Sequence, residues 1–221
     1  MYWFSRDSFR DFAVAANDGI IGAAGVLQGF AGAGATSRTL LVASISAMVA
    51  ASVAGFGAKY AELAAARDAE RALIVDARKD LAEGPEDDLV DLAGHFEELG
   101  APEPLALEVA ERMIEHDGLA ATLKTAHGID EPTPGWFPLA GALWNAFSVA
   151  VGSALPLAVL LLYPRAIESW AVVVAVILSL IVTSFIIAAA ARASIWRALR
   201  RTLLIGIATM TLSYLAGVLI F

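Results

Sequence analysis

Cysteine is absent from the 221 residues, which excludes a disulfide framework, a thiolate metal site and a cysteine nucleophile. Charge is scarce. Asp, Glu, Lys and Arg make up 17% of the chain, against about a quarter in soluble domains. The three histidines, His95, His116 and His127, all lie outside the apolar runs, so Ser148 and Ser153 within those runs have no neighbouring base to activate them. No glycine-rich phosphate loop is present. Gly25, Gly29 and Gly32 recur at the spacing by which helices pack closely in lipid, and Gly141 and Gly152 read as packing positions too. Catalysis is therefore not expected, and the net charge of −8 argues against nucleic acid as a partner.

Hydrophobic residues fill 58% of the sequence, and the charge that exists is segregated. Positions 62–131 hold 19 of the 23 acids but only 6 of the 15 bases, a net −13 against +5 for the remainder. Around this acidic stretch lie five apolar runs of bilayer-spanning length, near 12–35, 40–60, 136–162, 170–191 and 203–221. Asn17, Asp18 and Gln28 interrupt the first, and Pro156 marks a kink in the third. With the N-terminus inside, 13 basic residues fall on the cytosolic side and only Arg38 and Arg165 outside, which orients the chain with its C-terminus out. No cleavable signal is read before Phe12, so the first run is expected to remain. The expectation is an all-α integral membrane protein. Positions 1–71 hold spans one and two, 72–131 a cytosolic acidic helical subdomain, and 132–221 spans three to five.

Within the insert, Asp80-Leu-Ala-Glu-Gly84 closes the continuation of the second span. Pro85 followed by Glu86, Asp87 and Asp88 opens a helix with Leu89, Leu92, Ala93 and Phe96 on its apolar face. Leu99-Gly100 stops it. Pro104 starts another helix through His116 with Leu105, Val109, Ala110 and Met113 facing inward, and a short last helix runs from Gly118 to Ala126. Asp88, Asp91, His95 and Glu98 share one helix face, a carboxylate and imidazole set suited to Mn(II), Fe(II) or Zn(II). Glu108, Glu111 and Glu115 form a second ridge beside His116. The alternative for both is a solvated acidic face.

Ionised groups in spans are costly and are by default functional or paired. Asp18 lies about two turns inside the first span and Lys59 about one turn from the end of the second. Two readings stay open: Asp18 lines a path for a cation or proton, or it pairs with Lys59. Lys59 can also snorkel to water or meet Glu62 one turn on.

The arrangement resembles the vacuolar iron transporter family, which moves Fe(II) and Mn(II) out of the cytosol. The local matches are Arg10-Asp-Phe-Ala-Val-Ala-Ala-Asn17-Asp18-Gly19-Ile-Ile, Tyr60, Ala66-Arg67-Asp68-Ala69-Glu70, Pro85-Glu86-x-x-Leu89, Val109-Ala-Glu with His116-Asp117, Leu155-Pro156-Leu157, Arg197-Ala-Leu-Arg-Arg and Thr211-Leu-Ser-Tyr214. The resemblance implies a homodimer in a bacterial cytoplasmic or vacuole-like membrane. It also implies an ion path between protomers, with proton exchange and Fe(II) or Mn(II) as cargo rather than a resident cofactor. Family positions on the path fall on Asn17, Asp18, Gly55 and Lys59, with Glu62 able to supply a carboxylate one turn lower. Gly55 stands where the family has Met, and Lys59 where it has Glu. In the insert the family's paired glutamates fall on Ala77, Asp80, Asp88 and Asp91, and a later Glu falls on Ala126. Asp80, Asp88, Asp91 and His95 would then capture metal at the cytosolic mouth. The rival readings are a non-metal solute admitted by Lys59, and a transport-inactive membrane scaffold or metal sensor.

Overall fold

The computed structural model describes residues 6–162 and 168–220, so Arg165, expected in an outer loop, lies outside the described residues. Those residues form seven helices: α1 (Arg6–Gly32), α2 (Ser37–Glu83), α3 (Pro85–Glu98), α4 (Glu103–His127), α5 (Phe137–Leu162), α6 (Glu168–Ala190) and α7 (Ile195–Ile220). Four of them, α2, α5, α6 and α7, are long and apolar enough to cross a bilayer. The chain divides into two compact units, residues 1–60 with 139–221, and residues 61–138. The second run proves much longer than a span. It continues unbroken for 47 residues, and the boundary between units falls inside it. The last helix starts at Ile195 instead of near 203, so Arg197, Arg200 and Arg201 lie in its first two turns.

In the first unit α1 packs against α6 and α7, which also pack on each other. Ile20, Ala24 and Leu27 of α1 join Leu180, Val176 and Met210 in one buried cluster. α1 falls short of the apolarity that marks α2, α5, α6 and α7 as spans. Its buried positions are rich in alanine: Ala13, Ala15, Ala16, Ala23 and Ala24. Small residues let the backbones touch. A Cβ on Gly152 of α5 would lie 1.9 Å from the Ala16 carbonyl oxygen, and one on Gly19 would lie 2.3 Å from that of Val149. Ser153 Oγ reaches across the same seam to donate to the Gly19 carbonyl at 3.2 Å. Hydroxyls elsewhere in the unit are satisfied by their own helices: Ser44 donates to Leu40 O, Ser148 to Trp144 O and Ser184 to Leu180 O. Lipid offers no alternative partner, so this back-bonding is what makes the serines tolerable there.

In the second unit α3 packs on α4. Pro85 occupies the first turn of α3, Leu99 is its C-cap, and Gly100 takes a left-handed φ of 97°. Of the expected apolar face of α4, Ala110 and Met113 do pack into the core, but Ala106 takes the place expected for Leu105. Ala106 and Ala110 are fully buried against Leu92 and Ala93, while Leu105 is 51% exposed. The close α3–α4 approach selects the alanine stripe and turns the larger leucine outward. The two expected helices, 104–116 and 118–126, form one kinked α4. Its break falls at Asp117, whose carboxylate accepts from the Ala120 amide at 3.0 Å and so caps the second segment. Gly118 just beyond is buried, leaving room for Leu81 of α2 at 3.2 Å from where a Cβ would stand. Gly128, with φ 67°, ends the helix.

Gly152→Ala is expected to force α1 and α5 apart, costing about 1–3 kcal/mol as overpacking does. Gly94→Ala, with open space around it on α3, should be neutral or stabilising by up to about 1 kcal/mol. Thermal unfolding of both variants in the same detergent checks the contrast, and equal melting temperatures would refute the close-approach account.

Candidate functional site

The acidic helix face expected to gather metal does line a cavity. A groove of about 470 Å³ runs between α3 and α4, with Asp88, Asp91, His95 and Glu98 on one wall and Thr122, Thr125 and Ala126 on the other. Asp88 and His95 are half-buried, whereas Asp91 and Glu98 are exposed. His95 stacks edge-on to Phe96, ring centroids 5.7 Å apart. The Thr125 hydroxyl is occupied by the Ala121 carbonyl at 2.8 Å. The Thr122 hydroxyl is buried and has no hydrogen-bond partner among the described residues. Buried polar atoms are nearly always paired, so the orphan on the groove wall marks a place for water or a ligand.

The α4 wall was not foreseen. Thr122, Thr125 and Ala126 follow i, i+3, i+4 spacing, the signature of one helix face, but which face meets α3 depends on the kink at Asp117. Ala126 on this wall is the position where the resemblance placed a family glutamate, and it shares the groove with Asp88 and Asp91. Asp80 is exposed on α2 and is not among the groove's lining residues, and Ala77 is buried. Among the described residues no three acids or histidines converge tightly enough to form a finished cation cage. Glu108, Glu111, Glu115 and His116 are exposed, and Glu108 pairs with Arg112 at 3.6 Å along the helix. That ridge is a solvated face.

Two residues of the Ala66-Arg67-Asp68-Ala69-Glu70 stretch act as a clamp. The Glu70 carboxylate accepts from the Thr133 amide at 2.6 Å and from the Thr133 hydroxyl, while Arg67 Nε donates to the Thr133 carbonyl at 3.1 Å. Both polar groups of one loop backbone residue are thereby tied to α2. Lys124 and Asp130, 2.7 Å apart, brace the same loop, and the hydrogen-bonded carboxylate raises the lysine above its ordinary range.

In the first unit the path residues separate by environment. Asn17 Oδ1 accepts from Thr183 Oγ1 of α6 at 3.1 Å. Gly55 O accepts from Asn145 Nδ2 of α5 at 3.0 Å, and a Cβ at Gly55 would stand 3.0 Å from that nitrogen. Asp18 lies on an exposed stripe of α1 with Asp11, Val14 and Gly22. Among the described residues no ion pair joins it to Lys59, so that pairing gains no support. Lys59 is half-buried and Glu62 exposed.

The family model described as the VIT family matches residues 9–218, nearly the whole chain. The chain belongs to the vacuolar iron transporter (VIT) family. Comparison with curated proteins returns no match. VIT membership and four bilayer-length apolar helices make this an integral membrane protein of a transporter family, not of an enzyme family.

Two outcomes check the site. Glu70→Gln should weaken both bonds to Thr133 and destabilise the second unit by about 1–3 kcal/mol, seen as faster amide exchange at Thr133 and Ile129 in the full chain. Ala126→Glu should add a carboxylate to the groove and tighten Mn(II) binding roughly tenfold, measured by calorimetry on the full-length protein.

Proposed function

We propose that this VIT-family chain carries divalent transition-metal cations, Fe(II) or Mn(II), out of the cytosol in exchange for protons. It would work as a homodimer of five-span protomers, in which α1 joins the four apolar helices as a span. The observation that carries the reading is Asp18, a carboxylate on an exposed face of α1. A charge facing hydrocarbon costs several kcal/mol, about 2.5–3.5 by insertion scales. A face holding Asp18 is therefore better suited to a partner protomer and a hydrated path than to lipid. The neighbouring α2 favours the same assembly, since Ser46, Ala50, Ala54 and Gly57 leave an exposed small-residue stripe that would admit a second backbone.

In this reading the groove of Asp88, Asp91, His95 and Glu98 gathers cations at the cytosolic mouth, and Asp80 adds local negative potential. Oxygen and imidazole donors of this kind match Mn(II) and Fe(II). Asp18 then accepts the cation or the countertransported proton within the bilayer. Asn17 holds α1 to α6 through Thr183 and so positions Asp18 rather than ligating cargo. The membrane is taken as a bacterial cytoplasmic or vacuole-like one, with the N-terminus and the 72–131 subdomain cytosolic, as the charge asymmetry favours.

Lys59 is the feature that works against cation flow. An ammonium near the path raises the barrier for a dication by on the order of a few kcal/mol at an effective dielectric near 20. It favours the second reading, a path retuned for a non-metal solute. Proteoliposome uptake of Fe(II), Mn(II), Co(II) and Zn(II), with and without a pH gradient, separates the two. Metal uptake should be present in the native protein, abolished in Asp18→Asn and raised severalfold in Lys59→Glu. Adding Gly55→Met should help less, because its Cβ crowds the amide of Asn145. A folded, dimeric Lys59→Glu protein that conducts metal beside a native protein that conducts none would end the metal reading.

A further inference from the structure

A second cavity lies in the first unit, where nothing in the proposed cation route uses it. It encloses about 600 Å³ between α1, α6 and α7. Val173 and Ile177 of α6, with Ile207 and Met210 of α7, give it aliphatic walls, while Gln28, Thr211 and Tyr214 supply the polar side chains of its lining among the described residues. Gln28 is the unusual one. It is 8% exposed, and its side chain forms no hydrogen bond with any described residue. A primary amide offers two donors and two acceptor lone pairs. Leaving them empty in an apolar setting costs roughly 2–7 kcal/mol. A glutamine kept there in place of leucine implies an occupant able to exchange hydrogen bonds.

Among the described residues the lining has no carboxylate, histidine or basic group, and its walls match a neutral, apolar body. The volume is about that of a small-ligand pocket and far above the 30 Å³ share of one water. The match is a molecule with a long aliphatic body and a neutral hydrogen-bonding junction. Gln28 lies four residues before the end of α1, and Tyr214 six before the end of α7. The charge asymmetry assigns both ends to the outer side, so the cavity falls in the outer leaflet. There, one molecule of this description is the solvent itself.

We propose that the cavity between α1, α6 and α7 is a phospholipid site, with one acyl chain against Val173 and Ile177 and the glycerol ester carbonyl on the Gln28 amide. Thr211 and Tyr214 supply further donors at the junction. Buried lipid here would fill the gap between α1 and the α6–α7 pair without touching the Asp18 stripe. The site is independent of what the protein transports.

The test uses the full chain reconstituted in palmitoyl-oleoyl phosphatidylglycerol vesicles, extracted in mild detergent and examined by native mass spectrometry. The native protein should retain one phospholipid per chain through stringent delipidation. Gln28→Leu, which keeps the volume and removes the amide, should lower that occupancy about tenfold with an unchanged melting profile. Ala31→Phe, which fills the cavity from the α1 side, should abolish it. Equal retention in Gln28→Leu and native protein overturns the proposal, as does native protein that carries no lipid. Efficient disulfide crosslinking between Thr211→Cys copies also overturns it, since a second protomer would then cover the cavity.

Discussion

A helix carrying Asn17, Asp18 and Gln28 is a poor solute for hydrocarbon, and the first unit is arranged around that constraint. α1 gives its alanine and glycine positions to close contacts, so α5, α6 and α7 come near enough to take up its polar groups. Asn17 finds Thr183, and the Gly19 carbonyl receives Ser153. The seam at Gly152 and Gly19 is the condition for the second of these: with a Cβ at either, α1 and α5 would stand too far apart for the Ser153 bond. Ser44, Ser148, Ser179 and Ser184 bond back to carbonyls of their own helices and ask nothing of lipid. Among the described residues, the exposed stripe through Asp18 and the amide of Gln28 are left outside this arrangement, which is why both draw attention.

The second unit follows a different logic, because it needs solubility rather than concealment. Its core is a thin alanine and leucine seam between α3 and α4, and its many acids cover the outside. Thin packing leaves a groove instead of a filled interface. Cation-attracting side chains then sit on its rim at no cost to the core. The hydroxyl of Thr122, unpartnered among the described residues, and the small side chain of Ala126 leave the α4 wall of that groove open.

Much of this was readable before any coordinates. Pro85, Gly100 and Gly128 punctuate the insert helices at the positions where they act, since each rests on a local backbone preference. The segregation of acid at 62–131 likewise marked out the insert. Tertiary choices were not readable. Leu105 and Ala106 are neighbours on a helix, and only the distance to α3 decides which is buried. The apolar run near 203–221 marks a span but not where its helix begins, and Arg197, Arg200 and Arg201 extend α7 before it because arginine is a good helix former. Asp18 and Lys59 were plausible partners by depth, but depth along a span does not fix the direction in which a side chain points.

The hold of Glu70 and Arg67 on Thr133 has a topological meaning. The chain leaves α2 and, 63 residues later, returns to within hydrogen-bonding reach of the place it left. The segment in between is a closed ring, its ends fixed by three bonds that involve none of the acidic groove residues. For a loop of this length the entropy of closure changes only slowly with added or lost residues. The contents of the ring can therefore change in length and composition while its point of attachment stays as it was. A ring tied down in this way can have its acidic surface rewritten without the protein being refolded.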